Sequence, residues 1–180
     1  ILWFDTPWEI NAESGRQFVE AVHAAQPATY INSRLMYGGY RLPDLTPAQL
    51  DEIREIGVDY LSYRDRTIPH VPQWRDWETC MTMANSWSYV PNDVYKPTNE
   101  IIEKLVDIVS KGGNYLLNIG PGPDGELDAV TYQRLKEIGS WMKINGEGIY
   151  HSKPFAPYSS GNIFFTQNKS DQSVYAFYLA

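Results

Sequence analysis

A chain of 180 residues with 43% apolar side chains suits one ordinary domain with a real core. Twenty-two acidic against 15 basic residues give a net charge of −7 and a pI near 4.9, which removes the electrostatic basis for nucleic-acid binding. No run approaches the roughly 18 apolar residues of a membrane span, Cys80 alone makes no internal disulfide, and three scattered histidines supply no zinc site by themselves.

Residue 1 is Ile inside an apolar run, so the natural N-terminus is expected to lie upstream and no signal peptide is visible. Ile1 to Phe4 reads as a buried strand stopped by Asp5-Thr6-Pro7. A helical stripe of Phe18, Val19, Val22 and Ala25 follows, over about Glu13 to Gln26, with Pro27 ending it. Thr29 to Asn32 reads as a strand, Tyr37 to Pro43 as a loop, and Thr46-Pro47 opens a short helix through Ile53 and Ile56, closed by Gly57. Asp59 to Tyr63 and Thr79 to Met83 are strand-like. Pro97-Thr98-Asn99 then starts a helix with Ile101, Ile102, Leu105, Val106 and Val109 on one side, stopped by Gly112-Gly113. Tyr115 to Ile119 reads as a buried strand, Pro121 to Gly125 as a turn, and Val130 to Met142 as an amphipathic helix. Strands alternating with helices predict parallel β/α units.

After Gly146 the pattern changes. Ile163 to Thr166 and Val174 to Leu179 read as two strands joined by a polar loop, the beginning of an all-β module over 151–180 after an α/β region over 1–150. Both ends of the chain look cut. No internal repeat or low-complexity segment occurs.

Several chemistries lack their signatures. There is no P-loop, no dinucleotide glycine motif after a strand, no His-Glu-x-x-His and no Gly-x-Ser-x-Gly elbow. Asp124-Gly125-Glu126 lacks the other ligand positions of a calcium loop and reads as a plain turn. Asn168-Lys169-Ser170 is a formal glycosylation sequon. His23, His70 and His151 have no metal-spaced partners.

Carboxylates remain. Asp5 ends an apolar strand, the place where a β/α barrel presents catalytic groups, although capping of its own turn explains it as well. Asp65, between Arg64 and Arg66, and Glu78, between Trp77 and Thr79, lie at comparable places. Paired carboxylates are the working parts of a retaining glycosidase; the plainer readings are a surface ion pair for Asp65 and a buried orienting residue for Glu78. Arg34 ends another strand and can fork onto a ligand hydroxyl or a carboxylate. Trp87 suits a sugar face or a core equally. The 14% aromatic content fits a sugar cleft, though rings fill cores too.

The order of segments is recognisable. Leu2-Trp3-Phe4-Asp5, Ile31-Asn32-Ser33-Arg34, Asp65-Arg66 with Ile68-Pro69, Trp77-Glu78-Thr79-Cys80 with Ser86-Trp87-Ser88-Tyr89, and Val109 to Asn114 with Leu116 to Pro121 resemble glycoside hydrolase family 29, the α-L-fucosidases, over roughly residues 1 to 150. The resemblance implies a retaining exo-hydrolase that removes terminal α-L-fucose from an oligosaccharide or glycoconjugate, without metal or organic cofactor. Asp5 matches the nucleophile. Trp3 and Arg34 match positions that contact fucose or hold the nucleophile, and Trp87 an aromatic that packs on the sugar. Asp65 is preferred as acid/base, with Glu78 as the alternative. Arg64 and Arg66 must point away from Asp65, because a nearby cation favours the carboxylate over the acid.

A full (β/α)8 barrel takes roughly 250 residues. The resemblance therefore implies the second half of a TIM-like barrel, followed by the first strands of a C-terminal β-sandwich. The missing N-terminal half of the barrel is then a required partner, and the chain alone is expected to be inactive. A secreted, periplasmic or lysosomal location is what the family suggests. Two alternatives stand beside this reading: a retaining glycosidase for another sugar, and a non-catalytic fucose-binding protein on the same fold.

Overall fold

The computed structural model describes residues 1–6, 8–36, 39, 42 and 44–179. The chain is α/β. It contains the helices α1 (Ala12–Ala25), α2 (Pro47–Glu55), α3 (Thr98–Ser110) and α4 (Ala129–Asn145), and the strands β1 (Leu61–Ser62), β2 (Trp77–Thr82), β3 (Gly113–Asn118), β4 (Ser152–Ser160), β5 (Ile163–Asn168) and β6 (Val174–Tyr178). The chain divides into two compact units, Ile1–Thr67 with Gln73–Thr79, and Ile68–Pro72 with the chain from Cys80 onward. Most of the loop expected over Tyr37 to Pro43 lies outside the described residues.

Local chemistry sets the helix starts of the first unit. The Asn11 side chain accepts the Ser14 N–H at the head of α1. Thr46 and Gln49 form a reciprocal capping box at α2, with Pro47 in the first turn. Segments pair in parallel along the chain: Leu2 with Ile31, Asn32 with Tyr60, and β1 with β2 through Leu61–Trp77 and Ser62–Glu78. Parallel neighbours require crossovers, and α1 and α2 lie in them. Ile31, Leu35, Ile53, Ile56, Val58, Leu61, Tyr63 and Trp77 are buried, with the Tyr63 and Trp77 rings edge to face at 5.4 Å.

Two expectations shift here. The run Ile1 to Phe4 bridges only at Leu2 and is largely exposed, because among the described residues it has a neighbour on the Ile31 side alone. In α1 the buried positions are Gly15 and Val19, whereas Phe18 is exposed. Gly15 brings the helix backbone close: a Cβ there would meet Met36 and Ile56 at 3.6 and 3.8 Å.

In the second unit, α3 carries its expected apolar stripe, with Ile101, Val106, Ile108 and Val109 buried. Val106, Val109 and Ile149 form a cluster against which Trp141 and Met142 of α4 and Phe164 and Phe177 of the following strands pack. The Met83 N–H beyond β2 donates to the Asn118 carbonyl at the end of β3. The strand expected to be buried here, Tyr115 to Ile119, leaves Leu116 exposed, and α4 buries only Thr131 fully. β4, β5 and β6 form an antiparallel sheet in that order. β4 escapes the sequence pattern because Pro154 and Pro157 interrupt it. It sits at the edge of the sheet, with a register shift between Pro154 and Ser159, which is where prolines are tolerated. The expected turn before α4 is present, with the Asp124 carboxylate accepting the Glu126 N–H. No helix is long and apolar enough to cross a membrane among the described residues.

Candidate active site

Polar groups buried at the strand ends of the first unit build the site. Asn32 is fully buried, and its side chain accepts the Phe4 N–H at 2.9 Å and donates to the Phe4 carbonyl at 3.0 Å. This clamps the backbone immediately before Asp5. The chain then makes a 3-10 turn at Ser33–Leu35. Ser33 accepts the Ser62 N–H from β1 at 3.0 Å and donates to the Gly39 carbonyl at 3.0 Å. A Cβ on Gly39 would lie 1.6 Å from the Ser33 carbonyl oxygen, so only glycine fits this approach.

The turn presents Arg34, whose side chain is 4% exposed. Its Nη1 donates to Asp5 Oδ1 at 3.0 Å and its Nη2 to Asp65 Oδ1 at 2.7 Å. Nη2 also donates to the Tyr63 carbonyl. One guanidinium thus spans both carboxylates, which are themselves about half exposed, at 46% and 47%. The Trp3 ring lies under it, 5.2 Å from Cζ to the ring centroid. Each carboxylate residue is followed by a non-glycine residue in left-handed backbone, Thr6 at φ 51° and Arg66 at φ 59°. Asp5, Thr6, Trp8, Arg34, Arg64 and Asp65 line an open cavity of about 250 Å³.

Glu78, on β2, accepts hydrogen bonds from the Ser62 hydroxyl at 3.0 Å and from Trp3 Nε1. Trp3 therefore touches both the arginine and the glutamate. Burial pushes the Tyr63 phenol up to about 12. Tyr60 is raised further by burial first and by the Glu78 charge second, so both phenols stay protonated at neutral pH.

The structure brings together Trp3, Asp5, Arg34, Asp65 and Glu78 of the first unit. Trp87 belongs to the second unit and is 37% exposed. Arg64 pairs with Asp44 at 2.6 Å, and Asp65 pairs with Arg34, which the sequence pattern did not place there. Asn32, Ser33 and Ser62 also escaped the sequence reading as supports of the site. The available signal was a run of polar residues directly after apolar Ile31, where burial demands hydrogen-bond partners. His23 contacts the Asp59 carboxylate at 3.2 Å and the Thr29 carbonyl at 3.0 Å. Among the described residues no group of three or more His, Cys, Asp and Glu side chains is arranged to hold a metal ion.

Comparison with known proteins gives these features a context. The family model described as Alpha-L-fucosidase matches residues 1–147. A tissue alpha-L-fucosidase of Rattus norvegicus is 41% identical over 128 residues, 67% of this chain and 27% of that protein. Alpha-L-fucosidase isoenzyme 1 from Paenibacillus thiaminolyticus superposes with a TM-score of 0.77 at 30% identity, covering 93% of this chain and 40% of that one. A family 29 alpha-L-fucosidase from Bacteroides thetaiotaomicron, a trapped covalent intermediate with 2-fluoro-fucosyl fluoride, gives 0.77 at 28% identity over 94% of this chain and 40% of its own. These matches are to glycoside hydrolases by class. The chain belongs to the alpha-L-fucosidase family. It spans about a quarter of the length of the curated relatives it matches.

Proposed function

We propose that this chain is the part of a retaining α-L-fucosidase that carries the nucleophile, acting on terminal α-L-fucose of oligosaccharides or glycoconjugates. The observation that carries the reading is the buried Arg34 joining Asp5 and Asp65, which follow the two parallel segments on either side of its own. Asp5 attacks the anomeric carbon, Asp65 protonates the departing glycosidic oxygen, and water then cleaves the fucosyl-enzyme with Asp65 as base. Trp3 and Arg34 hold the sugar and the nucleophile. The trapped covalent intermediate of the Bacteroides relative supports double displacement. No cofactor takes part.

In architecture, residues 1–150 belong to the second half of a (β/α)8 barrel and 151–180 begin a β-sandwich. The parallel bridges from Leu2 through β2 support the first assignment, and the antiparallel β4-β5-β6 sheet the second. The run Ile1 to Phe4 takes a neighbouring strand on its open side, so the chain works together with the strands that close the barrel and hydrolyses no fucoside alone.

One observation favours a second proton donor. Asp65 holds an ion pair with Arg34 that it loses on protonation, whereas Glu78 is met by a hydroxyl and an indole N–H. The Bacteroides intermediate was trapped in a glutamate-to-glutamine variant.

Azide rescue in the complete barrel separates these roles. Each single variant, Asp5→Asn, Asp65→Asn or Glu78→Gln, is assayed on an aryl α-L-fucoside with added azide. Asp5→Asn is expected to lose about 10³-fold or more in kcat and to yield the inverted fucosyl azide. The proton-donor variant yields the retained azide. A retained product from Glu78→Gln but not Asp65→Asn transfers that role to Glu78. Undiminished turnover by Asp5→Asn refutes the mechanism.

A further inference from the structure

We infer that Trp8 is the platform for the leaving-group sugar and that the cleft beyond it takes an uncharged glycan. The inference rests on the fucosidase reading and deepens it.

Trp8 stands three residues after the nucleophile candidate, and its N–H returns to the Thr6 carbonyl at 2.9 Å. It belongs to the wall of the carboxylate cavity, together with Asp5 and Asp65. It also belongs to the wall of a second, wider cavity of about 490 Å³, lined among the described residues by Met36, Glu9, Glu13 and Glu52 as well. No other described residue lines both. A ligand with its reacting bond at Asp5 and a second ring beyond that bond therefore meets the Trp8 indole. That indole is 62% exposed, a large apolar face held at the mouth of a polar site. The C–H face of a pyranose is apolar and its rim hydroxyls are polar, which matches an indole flanked by carboxylates and amides.

The second cavity also has a sign. Glu9, Glu13 and Glu52 line it, and no Lys or Arg does among the described residues. Arg16 touches Glu13 at 3.4 Å from outside that lining. The start of α1 opens here with its partial positive charge, but the Asn11 side chain already occupies the Ser14 N–H and Glu13 sits in the first turn. A sulfated or sialylated leaving group brings a negative charge against three carboxylates, whereas a neutral one brings none.

The test uses the complete barrel with three substrates: α-L-fucosyl fluoride, a neutral fucosyl-galactose disaccharide, and the same disaccharide sulfated on galactose. Trp8→Ala is expected to lower kcat/KM on the neutral disaccharide about tenfold more than on the fluoride, which has no second ring. Trp8→Phe should recover most of that difference. The unaltered enzyme should prefer the neutral over the sulfated disaccharide by about tenfold, and Glu52→Lys should narrow the gap. Equal losses on fluoride and disaccharide, or no loss on either, overturn the platform role, and equal use of both disaccharides overturns the charge selection. An unaltered enzyme inert on fucosyl fluoride overturns the fucosidase reading and this inference together. Activity on the fluoride without a Trp8 difference overturns this inference alone.

Discussion

Replacing Arg34 by Met removes the one group that three strand ends share. The charge-assisted hydrogen bonds to Asp5 and Asp65 would each contribute about 1.5–3 kcal/mol if dry. Both carboxylates are about half exposed, at 46% and 47%, so solvent screening reduces each to about 1 kcal/mol. The Tyr63 carbonyl also loses a donor, which adds about 1 kcal/mol. The expected cost is therefore about 3 kcal/mol, close to the lower end for breaking a buried ion pair. Arg34→Lys keeps the charge but cannot fork, and should cost about half as much. Urea unfolding of the 180-residue chain, followed by tryptophan fluorescence, reads this directly. With a slope of about 2 kcal/mol/M, Arg34→Met should lower the midpoint by about 1.5 M. Placing Arg34→Met in an Asp5→Asn, Asp65→Asn background should remove most of the effect, because the guanidinium then has no anions to hold. A midpoint within about 0.25 M of the unaltered chain, or a Lys variant as costly as Met, refutes the reasoning.

Further outcomes follow from the same geometry. Asn32→Ala removes both hydrogen bonds to Phe4 and should cost about 2 kcal/mol in urea unfolding while lowering kcat of the complete barrel more than it raises KM; unchanged kcat would separate Asn32 from the placement of Asp5. Gly39→Ala drives a Cβ into the Ser33 carbonyl and should cost about 3 kcal/mol by forcing the Arg34 turn to move, visible as a lowered thermal midpoint. Burial raises the Tyr63 phenol to about 12, so its contribution is whole below the unfolded value near 10 and is lost as pH rises through 12. Thermal melts from pH 9 to 12 should fall less steeply for Tyr63→Phe; parallel curves contradict the assignment. The Ser86 and Val94 N–H groups hold the Asp93 carboxyl below its ordinary value. That stabilisation is present above pH about 4 and lost as pH falls through the lower folded value, so Asp93→Asn should flatten the acid limb of the melting curve.

What was legible in the sequence is what short-range chemistry decides. The Thr46-Pro47 start of α2 and the stripe of α3 appear where caps and periodicity put them. β4 was invisible because its prolines contradict strand preference, and only its edge position permits them. The exposure of Leu2 and Leu116 was equally hidden, since an apolar run states what can be buried and its neighbours determine what is. In the site, Asp5 and Arg34 were found as strand-end residues. The union of Asp5, Arg34 and Asp65 was not, because it joins three separate strand ends. Sequence neighbours drew attention to Arg64 as the cation beside Asp65, yet Arg64 pairs with Asp44. Successive residues at a strand end face different ways, so adjacency in the chain is a poor guide to adjacency of charge.

The forked arginine has a consequence for the reaction coordinate. Under the mechanism proposed above with Asp65 as donor, the Michaelis state would pair an anionic Asp5 with a protonated Asp65, and the fucosyl-enzyme an esterified, neutral Asp5 with an anionic Asp65. One negative charge faces the guanidinium in each state, and only its address differs. Arg34 would then be a shared counter-ion between two sites that exchange charge, so neither half of the proposed cycle would strand a buried cation. Its two terminal nitrogens already face the two carboxylates, one each, so under that mechanism the charge would change partner within the width of one planar group.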